Sequence, residues 1–328
     1  MNKVLILVIV TFFVSCNVSK TKQKGVIDIS SDYLKEKLFY LASDALKGRK
    51  TGSPETRIAA RYIENEFKSL GVKPYFSSRN GNDVFSTYYN GFEISSNKET
   101  VKGFNIVGLL EGTDKNLKKE YIILGAHYDH IGELTAVNGD SIANGANDNA
   151  AGTSAVLAMA KYFAEAKNNK RSILFVLFSG EEMGLKGSTH LSKTLKKDGL
   201  DLYTMINFEM IGIPMKDRGY NAYLSGYDLS NMADKINEIT TTKTIGLLPK
   251  AKSFNLFKRS DNYPFYRDFK VPSQTISTFD FENYDYYHHV DDEAELMDYT
   301  FMASLLNEIK PAIVHFANTP TKEIKMYE

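Results

Sequence analysis

The chain has 328 residues, 43% of them hydrophobic and 24% charged. Those proportions belong to a globular protein with a sizeable core, and a body of about 300 residues suits a single α/β domain. Lysine plus arginine and aspartate plus glutamate balance at 40 each, so no charge excess points to nucleic acid or to an anionic surface.

The first element is a leader. Met1-Asn2-Lys3 precedes an apolar run from Val4 to Val14, which ends at Ser15-Cys16. A basic start and a short apolar stretch have the form of an export signal, too short to span a bilayer with margin. The segment Phe13-Val14-Ser15-Cys16 resembles a bacterial lipobox, which implies cleavage before Cys16 and acylation of its thiol. The expectation is an exported protein of the cell envelope, held to a membrane by a lipid on Cys16; an ordinary signal with an incidental cysteine is the plainer alternative. Cys16 is the single cysteine, so the fold has no intramolecular disulfide to rely on. Residues 17–29, rich in Ser, Lys and Thr, read as a tether, and 30–328 as the folded domain.

Two amphipathic helices are expected next. Leu34, Leu38 and Leu41 fall at helical spacing behind Ser31 as N-cap, and a second helix starts at Ser53-Pro54 and stops at Gly71. Residues 77–100 show no clear period and read as strand ends and loops. Five apolar runs then read as strands: Phe104 to Leu110, Tyr121 to Leu124, Ile173 to Phe178, Tyr203 to Phe208 and Gln274 to Phe279. A helix from Thr153 to about Ala166 separates the second from the third, and a last helix, about 297–317, should kink at Pro311. Continuous apolar strands alternating with helices predict a three-layer α/β fold, a mostly parallel central sheet covered on both faces.

The strand ends carry the chemistry. Tyr121 to Leu124 leads into His127-Tyr128-Asp129, Ile173 to Phe178 into Glu181-Glu182, Tyr203 to Phe208 into Glu209, and Gln274 to Phe279 through a loop to His288-His289. Asn144 to Ala150, with Asp148, opens the helix at Thr153. Ligands of open parallel sheets bind beyond the carboxyl ends of the strands, so two histidines and four carboxylates should converge there. Crowded carboxylates need a cation, and imidazole mixed with carboxylate favours zinc over magnesium or calcium. Five ligands, one of them bridging, can hold two ions and leave a carboxylate as general base. By chemistry alone either His288 or His289 can ligate.

These segments resemble the M28 family of zinc exopeptidases, which includes bacterial leucyl-type aminopeptidases. The runs Gly125 to Gly132 (GAHYDHIG), Asn144 to Gly152 (NGANDNAAG) and Ser179 to Ser188 (SGEEMGLKGS) match in order and character. Leu41 to Arg49 (LASDALKGR) and Arg259-Ser260-Asp261 before Pro264-Phe265 match as well, over roughly residues 35–315. The resemblance implies a zinc exopeptidase-like fold and two zinc ions. It assigns Asp148 as the bridge, His127 and Glu209 to one ion, and Glu182 and His288 to the other. Glu181 would be the general base, and Asp129 would orient His127 through its second ring nitrogen. The family pattern of a histidine followed three and four residues later by acidic groups selects His288, with Asp291 and Asp292. Aspartate is more usual where Glu209 stands. The bond between Asp148 and Asn149 resembles one that is cis in the family.

The implied activity is removal of N-terminal residues from peptides with a free N-terminus, by a monomer with an apolar pocket for the first side chain. A glutaminyl cyclase-like single-zinc acyltransferase is the rival enzyme, although the intact His127-Tyr128-Asp129 run argues against it. A non-catalytic peptide-binding relative is the other rival. His130 and His289 read as bystanders, His190 and His315 as helical residues without catalytic part. Tyr284, Tyr286 and Tyr287 either line the pocket or pack against the last helix. Arg49 receives no role.

Overall fold

The computed structural model describes residues 27–80, 83–95 and 99–327. The leader, Cys16 and most of the tether lie outside the described residues. The tether's end does not: Lys310 Nζ donates to the carbonyl of Ile27 at 2.7 Å, and Ile29 N donates to Asn307 Oδ1 at 2.9 Å. Residues 27–29, expected as the end of the tether, thus bond to α-helical residues of the body.

Helix α1 (Ser31–Leu41) is capped by Ser30, whose hydroxyl accepts from Asp32 N and Tyr33 N. Ser31, the expected cap, is instead the first helical residue. Helix α2 (Pro54–Ser69) has Ser53 as N-cap and proline at its start, as the sequence pattern requires. Then come strands β1 (Tyr89–Ser95), β2 (Thr100–Leu110) and β3 (Glu120–His127), helix α3 (Ala151–Ala166), and strand β4 (Ser172–Phe178). Helix α4 (Lys186–Lys197), strands β5 (Asp201–Glu209) and β6 (Ala222–Leu224), and helices α5 (Met232–Thr240) and α6 (Asn262–Phe269) follow. Strand β7 (Ser273–Ser277) and helix α7 (Tyr299–Asn318) complete the body.

Among the described residues the sheet has nine strands, and its centre is the parallel run β4-β3-β5-β7. On both sides the next pairings are antiparallel: β2 pairs β4, β1 pairs β2, and β6 pairs β7, with a short parallel strand Ile245–Gly246 beyond β6. Every residue of β4 is buried, which explains its unbroken apolar run. Each large apolar side chain in such a strand contributes about 2 kcal/mol by leaving water. One face is covered by α1, α2, α3, α5 and α7 in a continuous apolar core, and the other by α4 and α6. The three layers and the parallel centre are those expected. Region 77–100 is more ordered than its sequence suggests, holding β1 and a hairpin of Phe76–Asn80 with Asp83–Thr87. Pro311 sits inside one continuous helix. It lies on the exposed side, where water can take the carbonyl it leaves unpaired.

Candidate metal centre

His127 ends β3 and Glu209 ends β5, and these strands are parallel neighbours. Their side chains meet beyond the strand ends, His127 Nε2 lying 2.9 Å from Glu209 Oε1 and 3.3 Å from Asp148 Oδ1. The other oxygen of Asp148, Oδ2, is 3.2 Å from His288 Nε2, which is also 3.2 Å from Glu182 Oε2. Two atoms each about 2.1 Å from a tetrahedral zinc stand about 3.4 Å apart. The observed separations fall within about half an ångström of that value. Asp148 thus presents one oxygen to each of two clusters, and all five expected ligands are brought together.

The loop that carries Asp148 is held from several sides. Its backbone N–H groups at Asn147 and Asp148 donate to the Asp292 carboxylate at 2.8 and 3.0 Å, and Tyr284 Oη donates to the same group at 2.6 Å. Asn149 staples the loop to the end of β5, donating to Phe208 O and accepting from Met210 N. Gly145 adopts a left-handed backbone at φ 60°, and a Cβ there would stand 2.4 Å from Asp148 O and 2.6 Å from the His130 ring, so only glycine fits. The peptide bond between Asp148 and Asn149 is cis.

Glu181 and Glu182 lie in the turn between β4 and α4, ahead of the helix rather than in it. Burial pushes the Glu181 carboxyl well above the usual carboxylate range. His127 opposes this, and Glu209, Asp261 and Glu182 add to it. Burial would also raise Asp148, but hydrogen bonds from His127 and His288 hold it well below that range. Asp129 is completely buried, yet its carboxylate is not the partner of His127. The His127 Nδ1 nitrogen lies 3.1 Å from the Asp129 backbone oxygen and 3.8 Å from Oδ1. The carboxylate instead accepts from Thr51 Oγ1 at 2.7 Å and Glu181 N at 3.4 Å. Asp129 therefore orients His127 through its main chain and the Glu181 turn through its side chain.

His130, expected as a hydrogen-bonded or solvent-facing bystander, is hydrogen-bonded and faces the second cluster. It is fully buried, and its Nδ1 lies 2.9 Å from Glu182 Oε1 and 3.9 Å from Asp148 Oδ2. His130, Asp148 and Glu182 form one of two groups of closely spaced metal-capable atoms among the described residues, His127, Asp148 and Glu209 the other. His289 remains half exposed, with Nδ1 accepting from Asp291 N. A cavity opens beside the cluster, bordered by His127, Asp148, Glu181 and Glu209 on one side. Met210, Tyr223, Phe279 and Tyr287 form an apolar wall, while Ser225, Thr275 and Ser277 add hydroxyls to it. Of the three tyrosines, Tyr287 lines this cavity, Tyr284 buttresses Asp292, and Tyr286 packs edge-on against Tyr284.

Residues 105–311 match the model of the peptidase family M28. The chain belongs to that family. It is similar to a probable leucine aminopeptidase of Trichophyton verrucosum, 27% identical over 238 residues, covering 70% of this chain and 60% of the relative. It is also similar to a probable zinc metalloprotease of Pyrenophora tritici-repentis, 36% identical over 107 residues, 33% of this chain and 24% of the relative. The chain thus spans less than two thirds of these relatives' length. Its fold superposes on a zinc aminopeptidase from Bacillus subtilis with a TM-score of 0.67 at 17% identity, covering 92% of this chain and 99% of that one. It matches a glutaminyl cyclase from Porphyromonas gingivalis with a TM-score of 0.65 at 16% identity, covering 88% and 99%.

Three further residues at this M28 site escaped the sequence reading. Arg49, fully buried, donates to the carbonyls of Leu41, Tyr128, Asn144 and Gly145. Ser260 donates to Glu209 Oε2 at 2.7 Å, and His130 meets Glu182. Apart from Leu41, their partners lie more than 50 positions away, and only the general likeness of the runs Leu41 to Arg49, Gly125 to Gly132 and Arg259 to Asp261 marked them.

Proposed function

We propose that the protein is a zinc-dependent aminopeptidase that removes the first residue from peptides with a free N-terminus. The observation that carries this reading is Asp148, buried, with one oxygen in each of two ligand clusters. His127 and Glu209 would hold one ion with Asp148, His288 and Glu182 the other. Bound there, the pair would supply an activated water near neutral pH and polarise the substrate carbonyl. Glu181 borders the same cavity; its raised proton affinity suits a group that takes a proton from the attacking water and returns it to the leaving amine. The apolar wall of Met210, Tyr223, Phe279 and Tyr287 would receive the first side chain. The leucine aminopeptidase among the relatives supports this substrate class. The leader ending at Cys16 supports export and lipid attachment, and nothing in the chain's charge balance suits nucleic acid.

The glutaminyl cyclase reading draws on the equally good superposition with that structure. Two complete clusters sharing Asp148 favour the two-metal enzyme over it. A panel of aminoacyl-p-nitroanilides, run with and without chelator and beside elemental analysis, decides between them. Two zincs per chain with chelator-sensitive hydrolysis are expected. One zinc, with cyclisation of N-terminal glutamine and no hydrolysis, would replace this reading with the second. In the same assay Glu181→Gln should lose about 10²–10⁴-fold in kcat while retaining both metals. A non-catalytic binder would instead show no hydrolysis in the unaltered protein.

A further inference from the structure

Each carboxylate assigned as a terminal ligand has its second oxygen already occupied by a buried donor. Glu209 Oε1 faces His127, while Oε2 accepts from Ser260 Oγ at 2.7 Å. The direction of that bond is fixed from behind, because Asn207 Nδ2 donates to the same Ser260 hydroxyl at 2.9 Å, leaving its hydrogen for Glu209. In the other cluster Glu182 Oε2 faces His288, while Oε1 lies 2.9 Å from His130 Nδ1. A carboxylate only accepts, so the proton of this bond sits on Nδ1.

The buried Nε2 of His130 has no hydrogen-bond partner among the described residues. A ligating Nδ1 would force an Nε2–H donor into that unpartnered position, whereas metal-bound imidazoles regularly donate their second N–H. A donating Nδ1–H pairs the ring's one N–H with Glu182 and leaves only an acceptor nitrogen there. His288 supplies the second cluster with an imidazole in any case.

We propose that Ser260 and His130 are paired clasps that each hold one oxygen of Glu209 and Glu182 away from the ions. Each carboxylate would then offer its ion a single oxygen, so that His127, Asp148 and Glu209 would hold one ion and His288, Asp148 and Glu182 the other with a position left for water or substrate. A zinc with three protein ligands and an open position is the catalytic arrangement, whereas a filled shell is the structural one. Both are positioning residues, acting through carboxylates they touch. The proposal rests on the two-metal reading above and adds how that site stays open.

The test uses the full-length protein loaded with cobalt(II), whose visible absorption weakens as its coordination number rises. Ser260→Ala and His130→Ala should each keep two cobalt ions yet lose absorption as the freed oxygen closes on the ion, and the double variant should lose more. kcat should fall about ten- to a hundred-fold. His130→Gln, which keeps an N–H donor, should recover part of both signals; should His130→Ala fail to fold by circular dichroism, Ser260→Ala decides. Unchanged absorption in Ser260→Ala overturns the proposal. So does X-ray absorption that counts three imidazoles over the two ions and one fewer in His130→Ala, because His130 is then itself a ligand. A protein that takes up no cobalt fails at the two-metal reading instead.

Discussion

At the scale of single residues, the metal-free cluster neutralises its carboxylates with imidazolium. Burial disfavours a charged His288, but hydrogen bonds to Asp148 and Glu182 outweigh it and raise its pKa to about 10. His127 is raised well above the usual histidine range too, with burial opposing and Glu209 and Asp148 prevailing. Zinc requires neutral imidazole, so its binding must expel these protons. Calorimetry at pH 7 in two buffers of different ionisation heat should show between about one and two protons released per loaded chain, and affinity should climb with pH toward 10. No proton release would remove His127 and His288 from the ligand set. The sign for the metal-free fold is opposite: a histidine raised from 6.5 to about 10 stabilises it fully below 6.5, and that support is lost as pH rises through 10. Chelated protein should therefore melt progressively lower from pH 7 to pH 10. Of the candidate ligands, His127 and Glu209 stand at strand ends and Glu182 in the turn after one, but Asp148 lies in the loop before α3 and only the family resemblance chose His288 over His289. Ser260, His130 and Arg49 were not legible, since each acts through a partner on another segment, as Ser260 does on Glu209, 51 positions away.

Elements supply the rigidity those residues need. Arg49, between α1 and α2, joins the end of α1, the turn after β3 and the loop before Asp148 through four carbonyls. Among the described residues no carboxylate bonds to it directly; burial lowers its pKa to about 10, while the charges of Asp292, Asp129, Asp148 and Glu182 work the other way. Truncation would strand those carbonyls, at about 1–3 kcal/mol for each group that water cannot reach. We expect Arg49→Ala to lower Tm by about 5 °C or more and to weaken zinc retention, measured by melting and by metal content after dialysis. Arg49→Lys, a single donor head in place of a planar fork, should recover only part of both. An unchanged Tm would show that the four bonds contribute little. The amphipathic α2 and the unbroken apolar run of β4 were legible in the sequence, whereas elements that owe their form to neighbours were not. Helix α6, which contains Pro264 and several aromatic residues, was not among the expected elements; its Phe265 and Phe269 pack with Leu191 and Leu195 of α4. Strand β1 alternates buried and exposed residues over only seven positions and depends on β2 for its pairing.

For the whole molecule, the sheet concentrates Asp148, Glu181, Glu182 and Glu209 at one rim of a protein whose total charge is balanced. Their mutual repulsion is a local cost that the fold bears until cations arrive. Any ion that binds the folded state alone stabilises it, by about 2.7 kcal/mol per site at a hundred times its dissociation constant. In a domain of this size one or two such sites should raise Tm by roughly 5–15 °C. Differential scanning calorimetry with excess zinc and with chelator should show that gap, reversible on adding zinc back. Glu181→Gln separates the two contributions, because it deletes one crowded carboxylate without deleting a ligand. Since burial and its acidic neighbours disfavour the ionised form of Glu181, its neutral replacement should stabilise the chelated protein more than the loaded one. The gap should narrow although both metals still bind. Equal melting with and without chelator in the unaltered protein would mean that the rim holds no ions, and a gap unchanged by Glu181→Gln would mean that Glu181 stands outside their field.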